Sequence, residues 1–394
     1  MRLLTFTSLF PNSVQPNLGV FVYQRMAAFT AIPGNSVEVI APLPWSPPVF
    51  GGEKGRNLAS IPANEKIGAI PVHHPRYPLV PGISMPIHAR LMYWGALALA
   101  RRLHRENPFD GIDAHFVYPD GKAALLIGRA LQLRVIISAR GSDINLFPTF
   151  RLIRPQIRQT LRRAAGRIAV CEALKQAMLD VAEENCHIRV IGNGVDPTRF
   201  FPVSKREARE KLHVPQTSRI IVSVAALVPA KGHARLLQAF KALTAKCSDL
   251  HLYLVGEGPS RTELESLAAS LGLQYCVHFV GSYPNDGLRD WYSAADVSCL
   301  ASSREGWPNV VLESLACGTP MVATRVWGTP EILTSPEVGI LVEQSDESLT
   351  AGLESALNRA WDRDVIVQFA RRRDWPAVAR EVHSYFQEVL SRNT

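Results

Sequence analysis

Two doubly wound α/β domains, each a parallel sheet flanked by helices, are what the sequence predicts, and three observations carry that reading. At 394 residues the chain is longer than one ordinary hydrophobic core supports, so two domains of similar size are the natural division. Short apolar runs alternate with helical stretches from the N-terminus, and the alternation restarts after a junction near residue 197. Many of the apolar runs end in turns built from glycine, proline and small polar residues, the punctuation of right-handed strand-to-helix crossings. We therefore expect one Rossmann-like domain over residues 1–197 and a second over 198–374, facing each other across a ligand cleft.

Composition narrows the function classes. A hydrophobic share of 47% with 20% charged residues describes a soluble globular protein. The most apolar run, Leu91 to Ala100, is half a membrane span long and is flanked by Arg90 and Arg101-Arg102. The opening MRLLTFTSLFP is too short for a secretory signal and meets Pro11 early, so a cytoplasmic location is the expectation. Six cysteines without a CxxC pair read as reduced thiols rather than metal ligands or disulfides. Charge is uneven: residues 1–200 hold 23 Lys and Arg against 13 Asp and Glu, while the remainder holds 20 against 22. A basic first half suits an anionic substrate or an anionic membrane surface. Nucleic acid is not expected, because no zinc pattern, RNP-like aromatic set or basic-aromatic interleaving accompanies the charge.

Taken in order, Leu3 to Ser8 is a strand, followed by a loop ending at Gly19 and a helix over Val20 to Thr30. Gly19 either lets the backbone approach a phosphate or simply starts the helix. Val37 to Ala41 is the second strand. Residues 42–86 hold ten prolines and read as a long irregular excursion, with Trp45, Phe50 and Tyr77 as anchors, which either lines a ligand pocket or is a surface insertion. A helix follows over Ile87 to Glu106, then a strand ending at His115 and a turn at Pro119-Asp120-Gly121. Strand ends are where open α/β sheets place ligands. His115 is thus a candidate for a substrate hydroxyl or proton transfer as well as for a structural role. The strand Arg134 to Ala139 ends in Arg140-Gly141-Ser142-Asp143 on the same side. Arg151, Arg154, Arg158 and Arg162 then lie on one stripe of a helix without an acidic residue, a face suited either to anionic lipid or to plain solvation.

In the second half, strands are expected at 219–224, 250–255, 276–280 and 297–300, with helices between them. Lys231 follows the first of these strands at the start of a helix, where a cation neutralises a diphosphate. Gly256-Glu-Gly258-Pro259 and Phe279-Val-Gly281 are the turns after the next two. The densest stretch is Ser302 to Glu331. Glu305 sits in a loop, Pro308 is placed at the first helical position, and the helix runs from Asn309 to Ala316 with Val311, Leu312 and Leu315 on its buried side. Cys317-Gly318 ends it, and a short buried strand leads on toward Gly328. A helix start beside two carboxylates suits a ligand carrying both hydroxyls and phosphate.

Glu305-x7-Glu313, followed by Gly318-Thr-Pro320 and Gly328-Thr-Pro-Glu331, resembles the donor-site signature of retaining glycosyltransferases of family four, which have the GT-B fold. Asn193-Gly-Val-Asp196, Gly256-x-Gly258-Pro259, Gly281 and Tyr292-x2-Ala-Asp296 occur in the family's order, so the resemblance spans nearly the whole chain. It implies transfer of a sugar from a UDP- or GDP-linked donor to a glycan or lipid-linked acceptor in envelope or exopolysaccharide synthesis, and since no HExxH-like or CxxC-like pattern appears, no metal or other cofactor is expected. Glu305 would contact the transferred sugar and Glu313 the ribose. Gly19, Lys231, Gly256, Gly258, Gly281, Arg304, Gly306, Asn309 and Val310 would complete the donor site. The last helix, about 375–394, would return to the first domain, which handles the acceptor. Two departures stand out. Arg140 occupies a place where the family often has a histidine, and would hold phosphate or an acidic acceptor. Ala225-Ala226 stands where relatives usually read Gly-Arg, leaving Arg304, Arg140 or Arg325 as candidates to supply the missing diphosphate contact. A GT-B epimerase or phosphorylase, or a non-catalytic nucleotide-sugar-binding relative, is the alternative.

Overall fold

The computed structural model describes residues 1–45, 57–80, 84–184, 186–247 and 249–392. The chain divides into two compact units, Met1–Asn193 with Trp375–Thr394, and Gly194–Asp374.

The first unit is built on a sheet whose described strands follow the order β10-β9-β8-β7-β1-β2-β5-β4. Its chain opens with β1 (Arg2–Phe6), α1 (Val20–Thr30) and β2 (Ser36–Ile40). Next come β3 (Leu43–Trp45), β4 (Asn64–Ile67), β5 (Ile70–His73), β6 (Arg76–Pro78) and α2 (His88–Glu106). Then follow β7 (Gly111–His115), α3 (Lys122–Leu131), β8 (Val135–Ser138), α4 (Ser142–Asn145), α5 (Arg154–Arg163), β9 (Gly166–Ala169), α6 (Glu172–Ala182) and β10 (Arg189–Val190). Every residue of β7 and β8 is buried, as both faces of a parallel sheet are covered by crossover helices.

Two expectations for this unit are corrected. Among the described residues of the stretch after residue 42, β4 and β5 form an antiparallel pair that extends the main sheet beside β2, and β3 pairs with β6 in a separate parallel ribbon. Proline enters these strands at the sheet margins: Pro71 is in register with Lys66 of the terminal strand β4 and precedes Val72 and His73, the β5 residues in register with β2, and Pro44 and Pro78 lie in a two-stranded ribbon. Tyr77 is an anchor, buried at 3% exposure, whereas Trp45 is 52% exposed, and Phe50 lies outside the described residues. The arginine stripe also differs from the bare cationic face expected of it. The helix begins at Arg154, leaving Arg151 in the turn before it, and Glu183 and Glu184 arrive from the end of α6. Glu183 pairs with Arg158 and lies 3.7 Å from Arg154, and Glu184 is 3.0 Å from Arg162.

The second unit contains α7 (Lys205–Leu212), β11 (Arg219–Val224), α8 (His233–Thr244), β12 (Leu250–Val255), α9 (Arg261–Ser270) and β13 (Val277–Gly281). It continues with α10 (Leu288–Ala294), β14 (Val297–Leu300), α11 (Asn309–Ala316), β15 (Met321–Thr324), α12 (Thr329–Ile332), β16 (Gly339–Val342), α13 (Asp346–Asn358) and α14 (Arg363–Arg371). Its described strands form a parallel sheet in the order β13-β12-β11-β14-β15-β16. One core under this sheet gathers Val222, Trp291, Tyr292, Leu312 and Leu315, and another gathers Ile221, Leu237, Phe240, Leu252 and Leu353.

The last helix, α15 (Trp375–Ser391), belongs to the first unit. Its buried side carries Trp375, Val378, Val382, Phe386 and Val389, with the Phe386 ring 6.0 Å from that of Phe29 on α1. No described helix is long and apolar enough to cross a membrane.

Candidate active site

In the second unit all strands run parallel, so their C-terminal ends share one edge, where such sheets bind ligands. The loops leaving these ends are laced together. Leu227 donates its N–H to the Glu257 carbonyl (2.9 Å), Gly256 to the Gly281 carbonyl (2.9 Å), and Ser303 to the Ala230 carbonyl (2.8 Å). Gly256 is required there: its φ is +151°, and a Cβ would come within 2.0 Å of the Ala225 carbonyl oxygen. Gly258 follows in the same turn, and Gly281 closes β13.

This lacing brings together residues far apart in sequence. Lys231, at the end of a 3₁₀ turn after β11, places Nζ 2.5 Å from Glu305 Oε1 in the loop after β14. Ser302 Oγ donates to the same carboxylate oxygen at 2.6 Å. Glu305 is only 8% exposed, so ammonium and hydroxyl compensate a largely desolvated carboxylate. Arg304 beside it is exposed, and Gly306, Asn309 and Val310 are half-buried along the entry to α11. Pro308 is the N-cap of α11, with extended backbone at φ −76° and ψ 97°, rather than its first helical residue.

Glu313 lies farther along α11 and sits in a different environment. It accepts a hydrogen bond from the Tyr292 hydroxyl at 3.1 Å. Burial pushes its carboxyl up to about 7, against the smaller opposing pulls of Tyr292 and Arg199. Ala226, where the resembled family has arginine, is exposed, and Arg325 is turned to Glu343 at 3.1 Å.

The first unit carries a second constellation at the ends of β7 and β8. His115 is fully buried, and both ring nitrogens are engaged. Nε2 lies 2.9 Å from Asp113 Oδ2, and Nδ1 accepts from Arg140 Nε (3.2 Å) and Nη2 (2.5 Å). Those partners place the imidazole proton on Nε2. Burial holds the ring well down, at about 4, the opposing pull of Asp113 notwithstanding. His115 therefore reaches a ligand only through Arg140, whose Nη1 donates to Asn193 Oδ1 at 2.9 Å. Gly19 ends the loop before α1 with φ +62°, and a Cβ there would lie 2.3 Å from the Leu9 carbonyl oxygen. The chain's own packing thus accounts for that glycine.

Sequence reasoning gave no role of their own to Arg25, Asp113, Ser302 and Tyr292, the last two noted only as parts of longer motifs. Arg25 had a signal: it is the only charged residue of α1 and shares a face with Val22, Met26 and Phe29, all buried. The other three are ordinary residues whose roles depend on what the fold brings beside them.

Two Rossmann-like units, the second on a parallel sheet with laced strand ends, have the architecture of the GT-B fold. Residues 21–199 match the model of Glycosyltransferase Family 4 and residues 204–373 that of Glycosyl transferases group 1, so the chain belongs to the family-four glycosyltransferases. The putative teichuronic acid biosynthesis glycosyltransferase TuaC of Bacillus subtilis (strain 168) is 29% identical over 364 residues, covering 90% of this chain and 88% of that protein. Among solved structures, sucrose-phosphate synthase from Thermosynechococcus elongatus superposes with a TM-score of 0.78 at 19% identity over 99% of both chains. Anabaena Alr3699/HepE in complex with UDP and glucose does so with a TM-score of 0.73 at 18% identity, over 98% of this chain and 100% of that one.

Proposed function

We propose that this glycosyltransferase moves a sugar from a UDP- or GDP-linked donor to a hydroxyl of a glycan or lipid-linked acceptor, retaining the anomeric configuration. The observation that carries the reading is the Lys231–Glu305 pair at the strand ends of the second unit. Lysine and glutamate neutralise each other in the free protein. A donor diphosphate draws Lys231 toward itself, and Glu305 then orients the hydroxyls of the transferred sugar. As the bond to the leaving diphosphate breaks, charge grows on its oxygens and the ammonium stabilises it. The two glutamates serve orientation and charge rather than forming an acid–base pair set apart across a glycosidic bond. Glu313 accepts the ribose hydroxyls, Arg304 stands by the diphosphate, and the backbone at Gly256, Gly258, Gly281, Gly306, Asn309 and Val310 completes the donor site. Arg140, backed by His115, serves the acceptor side.

The likeness to TuaC supports an acceptor in envelope polysaccharide synthesis, and HepE, a protein of the same fold, was solved with UDP and glucose. Exposed apolar side chains on the first unit support peripheral association with a membrane that carries such an acceptor. Ile87, Trp94, Leu146, Phe150 and Leu152 are all at least 42% exposed, and Arg90 and Arg151 lie among them. Gln156 joins the two segments by donating to the Pro86 carbonyl at 2.7 Å. Our proposed contact rests on these apolar residues and their flanking arginines more than on the arginine stripe, which is partly neutralised.

The test is a thermal-shift panel of UDP, GDP, ADP and their sugars, followed by product analysis with candidate acceptors. A ligand at 100 times its dissociation constant adds about 2.7 kcal/mol to stability. A product whose anomeric configuration is inverted refutes the retaining step. Binding without turnover across a broad acceptor panel favours the non-catalytic reading, which the Ala225-Ala226 departure supports.

A further inference from the structure

We propose that Arg140 forms an oxyanion subsite in the first unit, so that the substrate handled there is acidic, presenting either the carboxylate of a uronic acid or a phosphate. The inference rests on the reading of the chain as a sugar transferase and adds the chemical class of substrate that the first unit selects.

The argument starts from what Arg140 touches. Its side-chain acceptors are His115 Nδ1 and Asn193 Oδ1, and neither carries a charge. The nearby carboxylates are committed elsewhere. Asp143 uses its oxygens on three backbone N–H groups, those of Val117 (2.8 Å), Arg140 (3.1 Å) and Gly141 (2.8 Å). Asp113 accepts from His115 on one oxygen and lies 3.9 Å from Arg25 with the other. Arg25 is buried, donates Nη1 to Ser138 Oγ at 2.9 Å, and leaves Nε and Nη2 without a hydrogen-bond partner among the described residues. Two guanidinium groups thus share one carboxylate, which is hydrogen-bonded to neither of them.

Such an arrangement is costly unless something completes it. A guanidinium drawn out of water and held by neutral acceptors keeps its charge without a contacting counter-ion. A ligand oxyanion removes that cost, and a neutral sugar hydroxyl does not. Arg140 is placed to accept one: it is half-buried, whereas Arg25, Asp113 and His115 are buried behind it. Three of its five N–H groups are spent on His115 and Asn193, which leaves one on each terminal nitrogen, the number a carboxylate or phosphate takes in a two-pronged contact. The Phe21 ring, 5.1 Å from its Cζ, holds the plane of the group. Asp113 acts one step back, as a positioning residue: it fixes the His115 proton on Nε2, so that Nδ1 remains the acceptor that aims Arg140.

The experiment titrates D-glucuronate, inorganic phosphate and D-glucose against the full chain by calorimetry, alongside UDP and GDP. Wild type is expected to bind glucuronate or phosphate and not glucose. The anion that binds identifies an acidic sugar or a phosphorylated group as the source. Arg140→Gln should weaken that anion by about tenfold to a hundredfold, the loss of one charge-assisted contact. Arg140→Lys should fall between, since a point charge replaces a fork. Asp113→Asn should weaken the anion less than Arg140→Gln, and nucleotide affinity should stay unchanged in all three variants. Retained nucleotide binding also reports that a variant is folded, and if Arg140→Gln fails that check Arg140→Lys decides. The proposal is overturned if wild type binds neither anion, if glucose binds as well as glucuronate, or if the Arg140 variants keep wild-type anion affinity. Intact anion binding with no nucleotide binding would instead undo the donor reading.

Discussion

Replacing Glu313 by glutamine separates stability from donor binding, because its environment drives the two in opposite directions. Burial raises the folded-state carboxyl to about 7 from an ordinary value near 4.5. A raised pKa means that the folded protein binds the proton more tightly than the unfolded chain does. The associated stability is fully present below pH 4.5 and is lost as pH rises through 7. A gap of that size corresponds to about 3 kcal/mol at pH 8. Glutamine carries no charge to desolvate and still accepts from Tyr292 through its amide oxygen. Glu313→Gln should therefore raise the melting temperature of the second unit at pH 8, by about 2–4 °C for each kcal/mol recovered. Between pH 5 and 8 the stability of wild type should decline relative to the variant. Donor binding should move the other way. If the carboxylate accepts the ribose hydroxyls, each pH unit below 7 costs wild type about tenfold in affinity, and the variant shows a flat profile at reduced affinity. A nucleotide sugar is the proper probe, because its diphosphate does not titrate in this range. Calorimetry from pH 5.5 to 8 and melting curves over the same range test both halves. A variant less stable than wild type at pH 8, or a wild-type donor affinity that is level across pH 7, refutes the reasoning.

Other outcomes follow from the same geometry. Lys231→Ala strips the Glu305 carboxylate of its cation, and the unpaired buried charge should cost about 1–3 kcal/mol of stability, read from denaturant unfolding. Glu305→Gln should preserve the fold by circular dichroism while cutting turnover at least about a hundredfold, as expected for a group acting on the transition state. Gly256→Ala sets a methyl against the Ala225 carbonyl in a left-handed region, and should lower the melting temperature by an amount matching about 2 kcal/mol or more. For membrane association, Phe150→Asp with Leu152→Asp should abolish co-sedimentation with anionic vesicles at low salt, whereas Glu183→Gln with Glu184→Gln should strengthen it by unmasking the arginines. Pelleting that ignores the apolar substitutions would remove that surface from the proposal.

What could be read from the sequence was local, and what could not was the partner of each charge. Helix Asn309–Ala316 and strands Arg219–Val224, Leu250–Val255 and Val297–Leu300 stand where the apolar runs and their glycine or proline punctuation put them, because those signals act within a few residues. The strands between Leu43 and Pro78 were hidden because proline is a strong local signal against strand. Whether a proline falls on a used ladder position is decided by register with a neighbour far along the chain. The same distinction governs the site. Lys231 and Glu305 were each legible as candidates, but only the lacing of strand ends sets them against one another across 74 residues. The arginines of α5 looked bare because their helix holds no acid; Glu183 and Glu184 arrive from the end of the next helix, which no periodicity within α5 reports. Arg140 shows the converse. Its sequence surroundings include Asp143, a ready counter-ion, yet the fold spends that carboxylate on backbone N–H groups and gives the guanidinium two neutral acceptors instead. A charge is therefore informative about ligand chemistry only after the fold has paired the charges that pair internally. Around β7 and β8 that pairing leaves a cation over, which is why an acidic substrate is argued from the structure and only a basic first half from the sequence.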